Sequence, residues 1–73
     1  MELGQLMNAT KKLSAGIYQV SGTDWAIRND CYMCWWICKV VDGVYSLEPK
    51  EMFFIQGTRN DAIQYAKELQ MSN

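Results

Sequence analysis

The sequence predicts an α+β fold: a four-stranded antiparallel meander between residues 16 and 48, a short N-terminal helix, and a C-terminal helix packed on the sheet's aromatic face. Three observations carry that reading. Apolar residues recur with a period of two from Ile17 to Leu47, the period of strands that bury one face. Turn-forming residues interrupt the alternation at Ser21-Gly22-Thr23-Asp24, Asn29-Asp30 and Asp42-Gly43. Beyond Gly57 the apolar period lengthens to that of a helix.

The bulk composition agrees with one small folded unit. A chain of 73 residues has room for a single core, because a domain of this size buries only about 60% of the surface its unfolded form exposes. With 49% apolar and 21% charged residues, it lies outside the low-hydrophobicity, high-charge regime of disordered chains.

At the start, Leu3, Leu6, Met7, Thr10 and Leu13 recur at helical spacing, with Lys11-Lys12 where a helix C-terminus favours positive charge. A helix over about 2–13 is expected, stopped between Ser14 and Gly16. Strands follow over about 16–21, 24–29, 31–41 and 44–48.

The turns then set the register. Asp42-Gly43 suits a type I′ turn, whose two central residues both need positive φ; it pairs Val41 with Val44 and Val40 with Tyr45. Asn29-Asp30, read the same way, pairs Arg28 with Cys31, Ile27 with Tyr32 and Trp25 with Cys34. The loop from Ser21 to Asp24 sets Val20 against Trp25 and Tyr18 against Ile27.

These registers put Tyr18, Val20, Trp25, Ile27, Tyr32, Cys34, Trp36, Cys38, Val40, Tyr45 and Leu47 on one uncharged face, the expected core. The opposite face carries Arg28, Met33, Trp35, Ile37, Lys39, Val41 and Val44 and is apolar through its centre. Residues 52–56, after Pro49, read equally as a fifth strand or as an irregular link. The helix over about 58–71 has Thr58 as its cap, Asp61 in a variant capping box, and a stripe of Ala62, Tyr65, Ala66 and Leu69. Its alanines allow close approach to Trp25 and Trp36.

Several function classes are disfavoured. The formal charge is −1 and the seven basic residues are scattered apart from Lys11-Lys12, so no stripe tracks a phosphate backbone and nucleic acid is an unfavoured partner. No secretory leader pattern and no apolar run of about 18 residues is present, so no membrane partner is expected. Three cysteines, an odd number, suit a reducing compartment. The expected location is cytoplasmic, in the host cell's cytoplasm if the chain is viral.

Cys31, Cys34 and Cys38 spell C-x2-C-x3-C. A zinc site needs about four converging ligands, and the sequence has no histidine and no fourth cysteine. On a continuous strand Cys31 and Cys34 point to opposite faces, while Cys34 and Cys38 stand about 13 Å apart. Structural cysteines are therefore expected, with no metal, no cofactor and no disulfide within the chain. Without histidine no nucleophile has an evident base, and an enzyme with a small-molecule substrate is not expected.

What remains is the apolar outer face. A patch of this kind on a small protein calls for a cover: either the first helix, laying Leu3, Leu6, Met7 and Leu13 over it, or a second copy or partner protein, since tryptophan, methionine and arginine are enriched at interface centres. The candidate partner-binding residues are Trp35, Met33, Ile37, Arg28 and Lys39, with the edge strand near Tyr18 as a second surface. In size, lack of catalytic groups and adhesive surface the chain resembles the small proteins that bacteriophages make against host systems. That resemblance implies an inhibitor that blocks a surface of a larger host defence protein, such as a CRISPR or restriction nuclease complex. A homodimer using the same face is the alternative, and single-strand nucleic-acid binding through Trp35 a more distant one.

Overall fold

A computed structural model describes residues 10–72. The chain is α+β, with an antiparallel sheet and one C-terminal helix. Its strands are β1 (Thr10–Ser14), β2 (Ile17–Val20), β3 (Trp25–Cys31), β4 (Cys34–Val41), β5 (Val44–Tyr45) and β6 (Met52–Gln56), followed by helix α1 (Arg59–Met71). Strands β1 to β5 lie in sequence order, and β6 returns to pair with β4.

Residues 2–9 of the expected N-terminal helix lie outside the described residues, and its last four residues belong to β1 instead. Thr10 pairs with Val20 and Lys12 with Tyr18. The reason is Gly16, which at φ 77 reverses the chain into β2 rather than ending a helix; glycine reaches that region without the clash a Cβ brings. The helical spacing of Thr10 and Leu13 is thus overridden by a hairpin.

Two of the three expected registers hold. Tyr18 faces Ile27 and Gln19 faces Ala26, and Val41 and Val40 face Val44 and Tyr45 around an Asp42-Gly43 turn with both φ positive, 53 and 77. The loop between β2 and β3 is tied by Thr23, whose buried hydroxyl donates to Val20 O (2.8 Å) and accepts from Trp25 N (3.1 Å).

The third register is different, and the difference inverts a strand. β3 continues to Cys31 and the chain turns at Tyr32-Met33, so that Cys31 faces Cys34, Asn29 faces Trp35, Arg28 faces Trp36 and Ile27 faces Ile37. Ile27 has exchanged its expected partner Tyr32 for Ile37, an odd shift, which moves every β4 side chain to the other face. Asn29 does not turn the chain; its Nδ2 donates to the carbonyls of Cys31 and Cys34, both at 3.1 Å. Asp30 lies where the register slips, and its carboxylate accepts from Trp36 Nε1 (3.3 Å).

The shift has an energetic logic. It places Ile27 and Ile37 opposite one another with no exposed surface, and full burial of such a side chain contributes about 1.5–3 kcal/mol. Its local cost is Met33, held at φ 61, a left-handed conformation that costs a residue with a Cβ about 1–2 kcal/mol. Met33→Gly is accordingly expected to raise stability by about 0.5–1 kcal/mol, measured as a higher urea midpoint. Tyr32→Gly, at the turn position where φ is not positive, should bring no gain.

Residues 52–56, left open from sequence, form the strand β6. Phe53 faces Ile37 and Phe54 faces Trp36, so the two phenylalanines serve opposite faces. Phe53 packs under the helix, 5.7 Å from the Trp25 ring and 6.2 Å from that of Tyr65. β6 also explains why the expected strand over 44–48 ends at Tyr45: a 3-10 turn over Pro49–Glu51 carries the chain back and β6 takes the rest of the β4 edge.

Helix α1 begins as expected. Thr58 Oγ1 accepts from Asp61 N (3.2 Å), and Asp61 Oδ2 accepts from Thr58 N (2.9 Å), which completes the capping box. Its C-terminal half is anchored by Gln70, which accepts from Asp24 N (2.9 Å). Ala62, Ile63 and Ala66 pack with Val20, Trp25, Ile27 and Ile37 into the main core, and Trp35 joins its margin. A smaller core on the opposite face holds Ile17, Ala26 and Val40, with Leu13 and Tyr45 packed on it.

Candidate functional site

The inverted parity of β4 redistributes the candidate residues. Ile37 is buried beneath α1 with no exposed surface. Lys39 is on the helix side as well, with its ammonium 5.0 Å from the centre of the Trp25 ring, so its charge rests on an aromatic face. Arg28 is on the opposite face beside Trp36. The continuous outer patch expected from Met33, Trp35, Ile37, Val41 and Val44 therefore does not exist: the helix lies across its middle, and Val41 and Val44 are exposed at the far end.

The remaining three candidates converge. Tyr18, Met33 and Trp35 line one groove of about 540 Å³ between the β3–β4 hairpin tip and the start of α1, together with Asn29, Tyr32, Gly57, Thr58 and Arg59. Each wall has a local cause. Trp35 is carried there by the register that places it opposite Asn29. The hairpin tip is held against the helix start by Gly57 N, which donates to Met33 O at 2.7 Å. Arg59 is fixed by two contacts: its guanidinium lies 5.6 Å from the Tyr18 ring centre, and its Nη2 donates to Thr10 Oγ1 at 2.8 Å.

Chemically the groove is aromatic and positively charged. Among the described residues Arg59 is its one formal charge and no carboxylate lines it. Tyr32 is almost wholly exposed, at 91%, and stands at the lip. Tyrosine, tryptophan and arginine together form the composition of interface hot spots, where rigid rings provide area at low entropic cost. Sequence reasoning missed Tyr32, Asn29 and Arg59. Asn29 reads from sequence as a turn residue and Tyr32 as a core-facing strand residue, the reverse of their places here, and Arg59 signals only through long-range contacts with Tyr18 and Thr10.

The opposite face presents a second surface with a smaller depression. Trp36 and Phe54 meet edge to face with ring centres 5.0 Å apart, and Phe54 is 47% exposed. Arg28 lines a depression of about 310 Å³ on this side with Ser14, Ala15, Ile17, Tyr45 and Leu47.

The cysteines are also rearranged. Cys31 and Cys34 are not on opposite faces; the turn between them makes them cross-strand partners. The hydrogen bond to Cys34, with lesser contributions from desolvation, from the charge of Cys34 and from Asp30, pushes the Cys31 thiol up to about 11. Burial pushes the Cys38 thiol up, and Arg28 draws it part of the way back. Among the described residues no group of three or more histidine, cysteine or carboxylate side chains is placed to hold a metal ion, and no helix is long and apolar enough to cross a membrane. No family model, curated protein or solved structure matches the chain.

Proposed function

We propose that this protein is a protein-binding module whose working surface is the groove between the hairpin tip and helix α1, and that it acts as an inhibitor by occluding a surface of a larger protein. One observation supports the reading above the rest: Tyr18 of β2, Met33 and Trp35 of the β3–β4 hairpin and Arg59 of α1 meet around a single concavity with Tyr32 at its lip. The groove suits a protruding loop that offers an apolar side chain with a carboxylate beside it. The ring walls would bury the first and Arg59 would pair with the second. A host defence complex is the class of target that the resemblance to small bacteriophage proteins implies.

Tyr32→Ser tests this cleanly, because an exposed side chain can be truncated within about 0.5 kcal/mol of the original stability. In a pull-down from bacterial lysate read by mass spectrometry, the parent protein should retain a larger protein containing such a loop. The Tyr32→Ser variant should lose at least about thirtyfold in affinity for it, as expected for a hot spot worth about 2 kcal/mol. Equal retention by both proteins would remove the groove from consideration.

A second reading rests on the Trp36–Phe54 pair. Phe54 is 47% exposed there, and a second copy of the chain could pack against it. Sedimentation would then show a dimer that Phe54→Ser dissociates and Tyr32→Ser leaves intact.

A further inference from the structure

We propose that Cys31 and Cys34 form a reversible disulfide across the tip of the β3–β4 hairpin. The two residues face each other in register across the two-residue Tyr32-Met33 turn. The ends of a four-residue turn lie within about 7 Å at Cα, and a disulfide accepts about 4.4–6.8 Å, so the backbone needs little movement. Asn29 holds the tip in this shape by bonding the carbonyls of both cysteines. Cys31 is exposed and open to a soluble reagent, whereas Cys34 is buried behind it.

Cys38 takes no part. It is fully buried and follows Cys34 by four positions on the same strand, about 13 Å away at ordinary strand rise. The pairing is thus specific within the C-x2-C-x3-C run.

The oxidant would be a low-molecular-weight disulfide such as glutathione disulfide. Cys31, as its thiolate, attacks one sulfur of the reagent and releases one small thiolate, which leaves Cys31 in a mixed disulfide. Cys34 loses its proton to solvent, attacks the Cys31 sulfur and expels the second small thiolate. The reagent's S–S bond and the protein's two S–H bonds are exchanged for one protein S–S bond and two small-molecule S–H bonds. Among the described residues no helix N-terminus assists the attacking thiol, which is held up at about 11, so the reaction is slow at neutral pH and accelerates with base. The chemistry is independent of what the groove binds, although Tyr32 and Met33 at the groove's lip would be carried by the closed ring.

The test uses the full chain, reduced and then treated with glutathione disulfide, quenched in acid and weighed by mass spectrometry. The expected product has lost two hydrogens, regains them on treatment with dithiothreitol, and maps by proteolysis to a Cys31–Cys34 bridge. Its rate of formation should rise about tenfold per pH unit from about pH 7 to about pH 9, in step with the thiolate fraction. Cys31→Ser, a change at an exposed position, should abolish the intramolecular product. An unchanged mass, a mixed disulfide that goes no further, a bridge that includes Cys38, or a bridge only between two chains would each overturn the proposal.

Discussion

Ile37→Ala should destabilise the protein by about 2–5 kcal/mol, a large part of the roughly 4–11 kcal/mol that a domain of this size possesses. The side chain is wholly buried between the sheet and α1, opposite Ile27. Truncation removes its transfer free energy and leaves a cavity that an already close-packed neighbourhood cannot fill. Urea unfolding followed by tryptophan fluorescence would show the effect as a lower midpoint at an unchanged slope. The comparison that gives the result its force is Phe54→Ala on the opposite face, where the ring is half exposed and the loss should be under about 2 kcal/mol. If Ile37→Ala proved the milder of the two, β4 would have the parity expected from its turn residues and the helix would lie on the other tryptophan.

That inversion marks where the sequence stopped being legible. The β2–β3 and β4–β5 registers, the capped helix and the α+β class were all readable because local signals agreed with burial. At Asn29-Asp30 they did not agree. Both residues favour turns, but their side chains serve the hairpin from inside strand β3, Asn29 by bonding two carbonyls and Asp30 by accepting from Trp36. The actual turn residues, Tyr32 and Met33, have no turn propensity, and Met33 adopts a positive φ that its side chain disfavours. What outweighs that strain is non-local: the Ile27–Ile37 pair, and a β4 face that β6 can extend with Phe53 and Ile55. β4 was ambiguous from the start, since both of its faces are apolar and alternation alone cannot choose between them.

The site was legible only in part, for the same reason. From sequence, Met33 and Trp35 belong to a flat exposed face and Tyr18 to a separate edge-strand surface; β1 covers that edge, and the structure gathers the three residues into one groove on the helix side. Ile37 and Lys39, selected by the same parity argument, follow β4 to the helix side without reaching the groove. Arg28, on β3, lies on the other face. A parity error in one strand therefore changes what a surface is made of: three of the six candidates line the groove and three lie elsewhere. The cysteine reading failed by the same step: once the turn falls between Cys31 and Cys34, residues assigned to opposite faces become neighbours.

Ala66→Leu should cost about 1–3 kcal/mol, because it forces a larger side chain into the contact between helix and sheet. Ala66 has no exposed surface and belongs to the cluster that contains Ile27 and Ile37, and α1 rests on β3 and β4. The two small residues, Ala62 and Ala66, one helical turn apart, are what permit that approach. The argument can be closed with a second substitution. Ile27→Ala alone should cost about 2–5 kcal/mol by opening a cavity, but Ala66→Leu would add volume where Ile27→Ala removes it. The double variant should then be more stable than the sum of the two losses predicts, by about 0.5–3 kcal/mol, the range seen for coupled contacts. Strict additivity in urea unfolding would mean that residues 27 and 66 do not share one packed volume, and that the helix crosses the sheet elsewhere. A positive coupling places α1 over β3 by a measurement independent of the Ile37→Ala test of β4. Together the two results would establish which face of the sheet is closed, and hence that the hairpin tip and the helix start stand side by side to form the groove.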